Sequence, residues 1–267
     1  MINALKLYGH YISISLRGQM QYRASFVMLS FGHFLATGIE FIAIAALFDR
    51  FKHIVGWQLP EIALLYAIVN TAFSFTDAMS RGFDMFGNMV KGGDFDRLLL
   101  RPRSTALQLA GQEFTLRRVG RLSQGFIVFI WANQHLHITW SPEKIALCIL
   151  AIIGGICFFY ALMVMQATVA FWTTESLELM NTLTYGGVQT AQYPLSVYRA
   201  WFRKFFTYVV PLASVSYFPG LALLDRTDPF GSPVIRHYIS PFIGIAFLII
   251  ALQIWKIGVR HYRSTGS

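Results

Sequence analysis

Three sets of side chains in this 267-residue sequence have types and spacings that could do chemistry. Asp77, Arg81 and Asp84 follow one another at intervals of four and three, so on a helix they form one charged stripe. Such a stripe can hold an ion-pair chain, and it could also relay a movement along the helix. His33 and Glu40 lie seven residues apart, two helical turns, and share a face within a long apolar run. A proton relay, the lining of a polar path, or hydrogen bonds to a neighbouring helix or second subunit are all open to them. The third set is the string Lys91-Gly-Gly-Asp-Phe-Asp-Arg-Leu-Leu-Leu-Arg-Pro-Arg103, whose mixture of charge and leucine suits surface recognition better than catalysis. Metal chemistry is not expected. His135 and His137 have no third ligand nearby, no zinc-type cysteine spacing occurs, and a structural zinc needs four ligands. Cys148 and Cys157 fall on opposite faces of one apolar run and should not pair.

The elements that position these residues follow from composition. The chain is 55% hydrophobic and 13% charged, whereas a soluble domain is about a quarter charged. Too few polar side chains remain to cover a water-facing surface, so the excess must face lipid. A soluble enzyme is excluded, and so is a disordered chain, which needs low hydrophobicity. A crossing helix needs about 20 apolar residues, which allows roughly five to seven spans. Six are expected, at 24–48, 60–86, 122–140, 145–172, 204–224 (interrupted by Pro211) and 239–257. Residues 1–23 are not apolar enough to cross. Lys6, His10, Ser13 and Arg17 form a polar stripe there, as on a helix lying in the membrane interface. The long apolar stretch that follows does not resemble a cleavable signal, and no processing is expected. Residues 173–203 are too polar to cross as a unit and read as an amphipathic or loop segment, with Glu175 and Glu178 toward the cytosol or a partner. Gly154 and Gly155 suit close helix packing.

The net charge of +9 sorts by side. With both termini inside, sixteen Lys and Arg fall in inner segments and five in outer ones, with Arg81 inside the second span. Cytoplasmic loops carry such an excess. The basic charge is therefore a topology signal, and nucleic acid is not an expected partner.

The inner stretch 88–121 carries the strongest local pattern. Gly92 and Gly93 permit a sharp reversal, and Asp94 can cap a short helix. Phe95, Leu98 and Leu99 then share one face, leaving Asp96, Arg97 and Arg101 for other partners, and Pro102 ends the helix. Leu107, Ala110, Gly111 and Phe114 make a second apolar stripe leading to Arg117, Arg118 and Arg121. The short helix could lie on anionic lipid headgroups, fold back on its own bundle, or insert its apolar face into a groove of a soluble partner.

The string GGDFDRLLLRP, after two spans and before four, resembles the bacterial ABC type-2 permease family. Gln21-Tyr22-Arg23, Gly56-Trp57, Tyr193-Pro194-Leu195-Ser196-Val197-Tyr198, Pro211-Leu212-Ala213 and Tyr217-Phe218-Pro219 match in the same order. The resemblance covers essentially the whole chain. It implies the transmembrane subunit of an ATP-driven transporter, usually an exporter, in a bacterial cytoplasmic membrane. It also implies an all-α fold with an N-terminal interfacial helix, six spans, and a cytoplasmic coupling helix between spans two and three. That helix, through Asp94, Phe95, Asp96, Arg97, Leu98, Leu99 and Arg101, would dock on a separate ABC ATPase. Two copies of the ATPase and a second permease chain, identical or related, complete the expected unit within membrane lipid. The chain holds no G-x-x-x-x-G-K-[ST] phosphate loop, so ATP and Mg are expected on the partner and no cofactor on this chain.

Three rival classes remain, of which a non-catalytic assembly or anchoring protein is the residual one. A secondary transporter often shows repeated halves around midplane charges, and no self-similarity is evident between 24–140 and 145–257. A membrane enzyme would want a clustered His, Asp or Glu constellation, and only scattered single residues occur.

Overall fold

A computed structural model describes residues 2–173 and 177–262. Glu175 and the side chain of Glu178 lie outside what is described. Among the described residues the regular elements are helical, with one isolated bridge between Ile54 and Trp57. α1 (Ile2–Met20) precedes α2 (Arg23–Phe51) and α3 (Leu59–Met79). Four short helices follow: α4 (Arg81–Asp84), α5 (Phe86–Lys91), α6 (Phe95–Leu99) and α7 (Thr105–Ala110). Then come α8 (Val119–His135), α9 (Pro142–Val169), α10 (Leu177–Ala191) and α11 (Ala200–Lys204), which runs into a π-helical turn at Phe205–Val209. α12 (Tyr217–Leu223), α13 (Val234–Ile239) and α14 (Pro241–His261) complete the chain.

The helices α2, α3, α9 and α14 are each long and apolar enough to cross a membrane. Ala200–Val209 with Leu212–Leu223 passes the same test only as a pair, bent by 76°. α3 is the most enclosed, with Ile62 through Val69 all at 1% exposure or less. α2 instead leaves Val27, Met28, Phe31, Ile39 and Ile42 uncovered, a large apolar surface suited to lipid or to a neighbouring chain. α9 and α14 pack backbone to backbone. A Cβ on Gly154 would collide with the Pro241 carbonyl, and one on Gly244 with the Gly154 carbonyl, so the expected packing role of Gly154 is met by backbone contact.

Contacts divide the bundle into two ends. The near end carries α1 and α4–α7, and the far end carries the α2–α3 loop with Trp57. α1 is fastened at the near end, where Ser15 Oγ and Gln19 Oε1 accept the backbone N–H groups of Phe114 and Leu116 at 3.0 and 2.9 Å. Lys6, His10 and Arg17 stay exposed on it, as the polar stripe requires.

The chain departs from the sequence reading in three places. The second span stops at Met79, because Ser80 leaves helical geometry and α4 begins a new direction. The 173–203 segment contains α10, which starts beside the near-end part of α9, with Gln166 donating to Asn181 at 2.8 Å. Beyond α10, Ser196 meets Trp57 Nε1 at 3.0 Å, so this stretch runs from near end to far end. The expected fifth span does not do so. Its first limb begins just after Ser196 at the far end, and its second returns there, where Lys144 Nζ donates to the Leu223 carbonyl at 3.2 Å. The break falls at Val210–Pro211, where proline has no N–H to give the helix ladder. Arg199, Arg203 and Lys204 consequently sit at the far end, which changes the charge bias from sixteen against five to thirteen against eight.

Candidate functional site

The near-end segment rests on an aromatic cluster. Phe95 is wholly buried, edge-on to Phe86 at 5.0 Å and to Tyr262 at 4.9 Å, with Phe171 and Trp255 closing the cluster. Burying such a ring stabilises by roughly 2 kcal/mol. Leu98 is buried beside it, and the Gln108 amide donates to the Leu98 and Arg103 carbonyls at 3.1 Å each, fixing the turn that follows. The apolar face read from the sequence is thus real, but Phe95 and Leu98 spend it on their own bundle. Leu99, 41% exposed, turns away, and Leu100 stands at 86% exposure between the exposed Arg97 and Arg101.

Asp94 occupies the N-cap position just before α6, but its side chain makes no capping hydrogen bond. Its backbone is already helical, with φ −66° and ψ −18°, so its side chain cannot reach back to the first amides. It faces Arg97 at 3.6 Å instead, in an exposed pair of little energetic weight. Asp96 is partly buried. Leu100 was missed by pattern reading. Its signal was the third leucine of a run, two helical steps or about 200° beyond Leu98 and so on the side away from the buried stripe.

The second cluster lies where α2, α3 and the start of α8 meet. Arg118 Nε is 2.8 Å from Asp77 Oδ2, a charge contact without the alignment of a hydrogen bond. Its Nη1 faces His33 Nε2 at 3.2 Å. Arg81 pairs separately with Asp84 at 2.6 Å. The single stripe expected from Asp77, Arg81 and Asp84 is therefore split, because the helix that would have aligned them breaks at Ser80. Arg118 joins three elements that no local spacing links, and the sequence offered it only as one of a basic cluster.

His33 and Glu40 are not brought together. His33 is taken by Arg118, whereas Glu40 sits seven residues nearer the far end, within electrostatic reach of the Tyr66 and Tyr193 phenols. Its Oε2 is out of solvent and has no hydrogen-bond partner among the described residues. Tyr66 itself donates to the Thr37 carbonyl at 2.8 Å. An ionisable group held this way in an apolar helix is a functional candidate by default.

A bundle with several helices long and apolar enough to cross a membrane defines a multi-pass helical membrane protein. The family model described as ABC-2 family transporter protein matches residues 34–266. The chain belongs to that family, whose members are membrane subunits that are generally non-catalytic and partner an ABC ATPase. No curated protein and no solved structure matches the chain.

Proposed function

We propose that this chain is the permease subunit of an ATP-driven exporter, moving a hydrophobic or amphipathic substrate across a bacterial cytoplasmic membrane. The observation that carries the proposal is Leu100, with Arg97 and Arg101, held out from a segment anchored by buried Phe95. An exposed leucine flanked by cations, on a pedestal that cannot yield without disturbing the aromatic cluster, suits docking into a groove of a separate ATPase. ATP and Mg belong to that partner, in two copies. A second permease, identical or related, would cover part of the open α2 surface and surrounding lipid the rest.

Six crossings are best assigned to α2, α3, α8, α9, α10 and α14, with α1 in the interface and the bent pair dipping in from the far side. The near end is then cytoplasmic, as the remaining charge bias favours, and both termini face the cytoplasm. ATP-driven closure of the ATPases would move the docking segments, and through them the permease chains, in alternating access. Glu40 is the residue proposed to face the path, and His33 is reassigned to the Arg118 contact.

Docking is tested by Asp96→Lys and Arg97→Glu. Each should weaken ATPase association while membrane insertion is unchanged. Unaltered co-purification together with unaltered transport would remove the docking assignment. A secondary transporter driven by an ion gradient is the alternative, and transport in vesicles that persists without ATP but collapses with the gradient would select it.

A further inference from the structure

At the far end a cavity of about 340 Å³ opens between the two limbs of the bent pair and the loop leading into α13. Arg203, Lys204 and Arg236 line it, and none of the three makes an ion pair among the described residues. Aromatic rings fix both guanidiniums. Arg203 lies 3.4 Å over Phe230, and Arg236 lies 4.7 Å from the Phe218 ring and 5.2 Å from that of Tyr208. Stacking occupies the face of a guanidinium and leaves its in-plane N–H groups for a ligand.

Asp228, the one acid lining the cavity among the described residues, does not neutralise them. Burial pushes its carboxyl up, but bonds from Ser232, the Phe230 N–H (3.1 Å) and Tyr217 Oη (2.9 Å) outweigh that and hold it below the usual range. Its acceptor oxygens are thereby engaged, and the cavity wall stays net positive. The cations also run against the topology bias. On the orientation proposed above they lie on the side where basic residues are depleted, so membrane insertion does not account for them. That point alone rests on the proposed orientation.

We infer that this cavity binds a phosphate-bearing group at the far membrane face. Two ring-braced guanidiniums and an ammonium offer a fan of donors that suits the several oxygens of a phosphate. The group could belong to an anionic phospholipid of the adjoining leaflet or to a soluble molecule, and the two are separable by probe.

The purified protein, kept with its native partners in mild detergent, is titrated with phosphatidylglycerol followed by native mass spectrometry, and with inorganic phosphate followed by thermal shift. Binding of the first probe identifies a lipid source, and binding of the second a soluble one. Arg203→Gln/Arg236→Gln should lower the affinity of whichever probe binds by about tenfold or more, since each removed cation forfeits charge-assisted bonds. Lys204→Gln, at an exposed and unstacked position, should lower it severalfold and keeps the test open where the double variant fails to fold. Lys256→Gln/Arg260→Gln, at a separate near-end groove, should bind as the wild type does. Equal binding by wild type and the far-end variants, or no binding of either probe by wild type, would overturn the assignment. Orientation is read separately by an impermeant maleimide on Thr227→Cys. Labelling from the cytoplasmic side alone would revise the orientation and leave the binding result standing.

Discussion

The Arg118 guanidinium lies 2.8 Å from the Asp77 carboxylate and so ties the segment before α8 to the last turn of α3. Both side chains are largely buried, at 17% and 6% exposure. Removing one partner of such a pair strands the other charge, which typically costs about 3–5 kcal/mol. Arg118→Met is therefore expected to lower stability by an amount of that order, and the double variant Asp77→Asn/Arg118→Met by clearly less. Reversible unfolding in mixed micelles checks this. Losses that simply add, with the double variant costing the sum of Asp77→Asn and Arg118→Met alone, would show that the pair is not coupled.

The α9–α14 contact makes a sharper steric prediction. Any side chain at Gly154 meets the Pro241 backbone, which cannot move aside as a flexible side chain would. Gly154→Leu should destabilise by at least the roughly 1–3 kcal/mol of ordinary overpacking. Gly32→Leu, in α2 with nothing near its Cβ position, should be neutral. Thermal midpoints of the two purified variants give the comparison.

What the sequence made legible follows from how each element satisfies its surroundings. α2, α3, α9 and α14 announce themselves as apolar runs because lipid or core meets them on all sides. α10 hides because it packs inward with its polar groups paired, Asn181 and Thr184 on Gln166, so it needs no hydrophobic excess to be buried. The bent pair reads as a span because composition cannot reveal that Pro211 turns the chain back. In the near-end segment, spacing found the stripe of Phe95 and Leu98 but could not say which surface would cover it. Arg118 was beyond reach altogether, since its partners Asp77 and His33 are 41 and 85 positions away in the chain.

Acidification should loosen the far end through His237. The ring is almost wholly buried, stacked on Phe218 at 5.8 Å and 2.8 Å from Ser232 Oγ. Burial, aided by Arg236 and opposed by Asp228, holds its pKa below the ordinary 6.5. An unfolded chain takes up the proton first, so the contribution of His237 to stability is fully present above pH 6.5 and is lost as pH drops below that value. Amide protection factors across 224–240, taken relative to the intrinsic exchange rate at each pH, should fall between pH 7 and pH 5 in the wild type, and His237→Gln should flatten that dependence. A variant with the same pH profile as the wild type would place the sensitivity elsewhere.

Glu40→Gln separates a functional carboxylate from a structural one. It keeps the shape and replaces the carboxyl, whose Oε2 has no hydrogen-bond partner among the described residues, by an amide that cannot ionise. Transport should fall severalfold, while membrane insertion and co-purification with the partner hold. A variant that inserts and transports normally would return Glu40 to helix packing.

The most direct test of the central claim is recovery of the tagged chain from its native membranes in mild detergent, with everything bound to it identified and counted. An ABC ATPase should accompany the wild type at near-equal stoichiometry and be lost from Arg97→Glu/Leu100→Asp, which should still insert. A wild-type chain recovered folded and without an ATPase, or a variant that retains it undiminished, would contradict docking at the Arg97–Leu100 face.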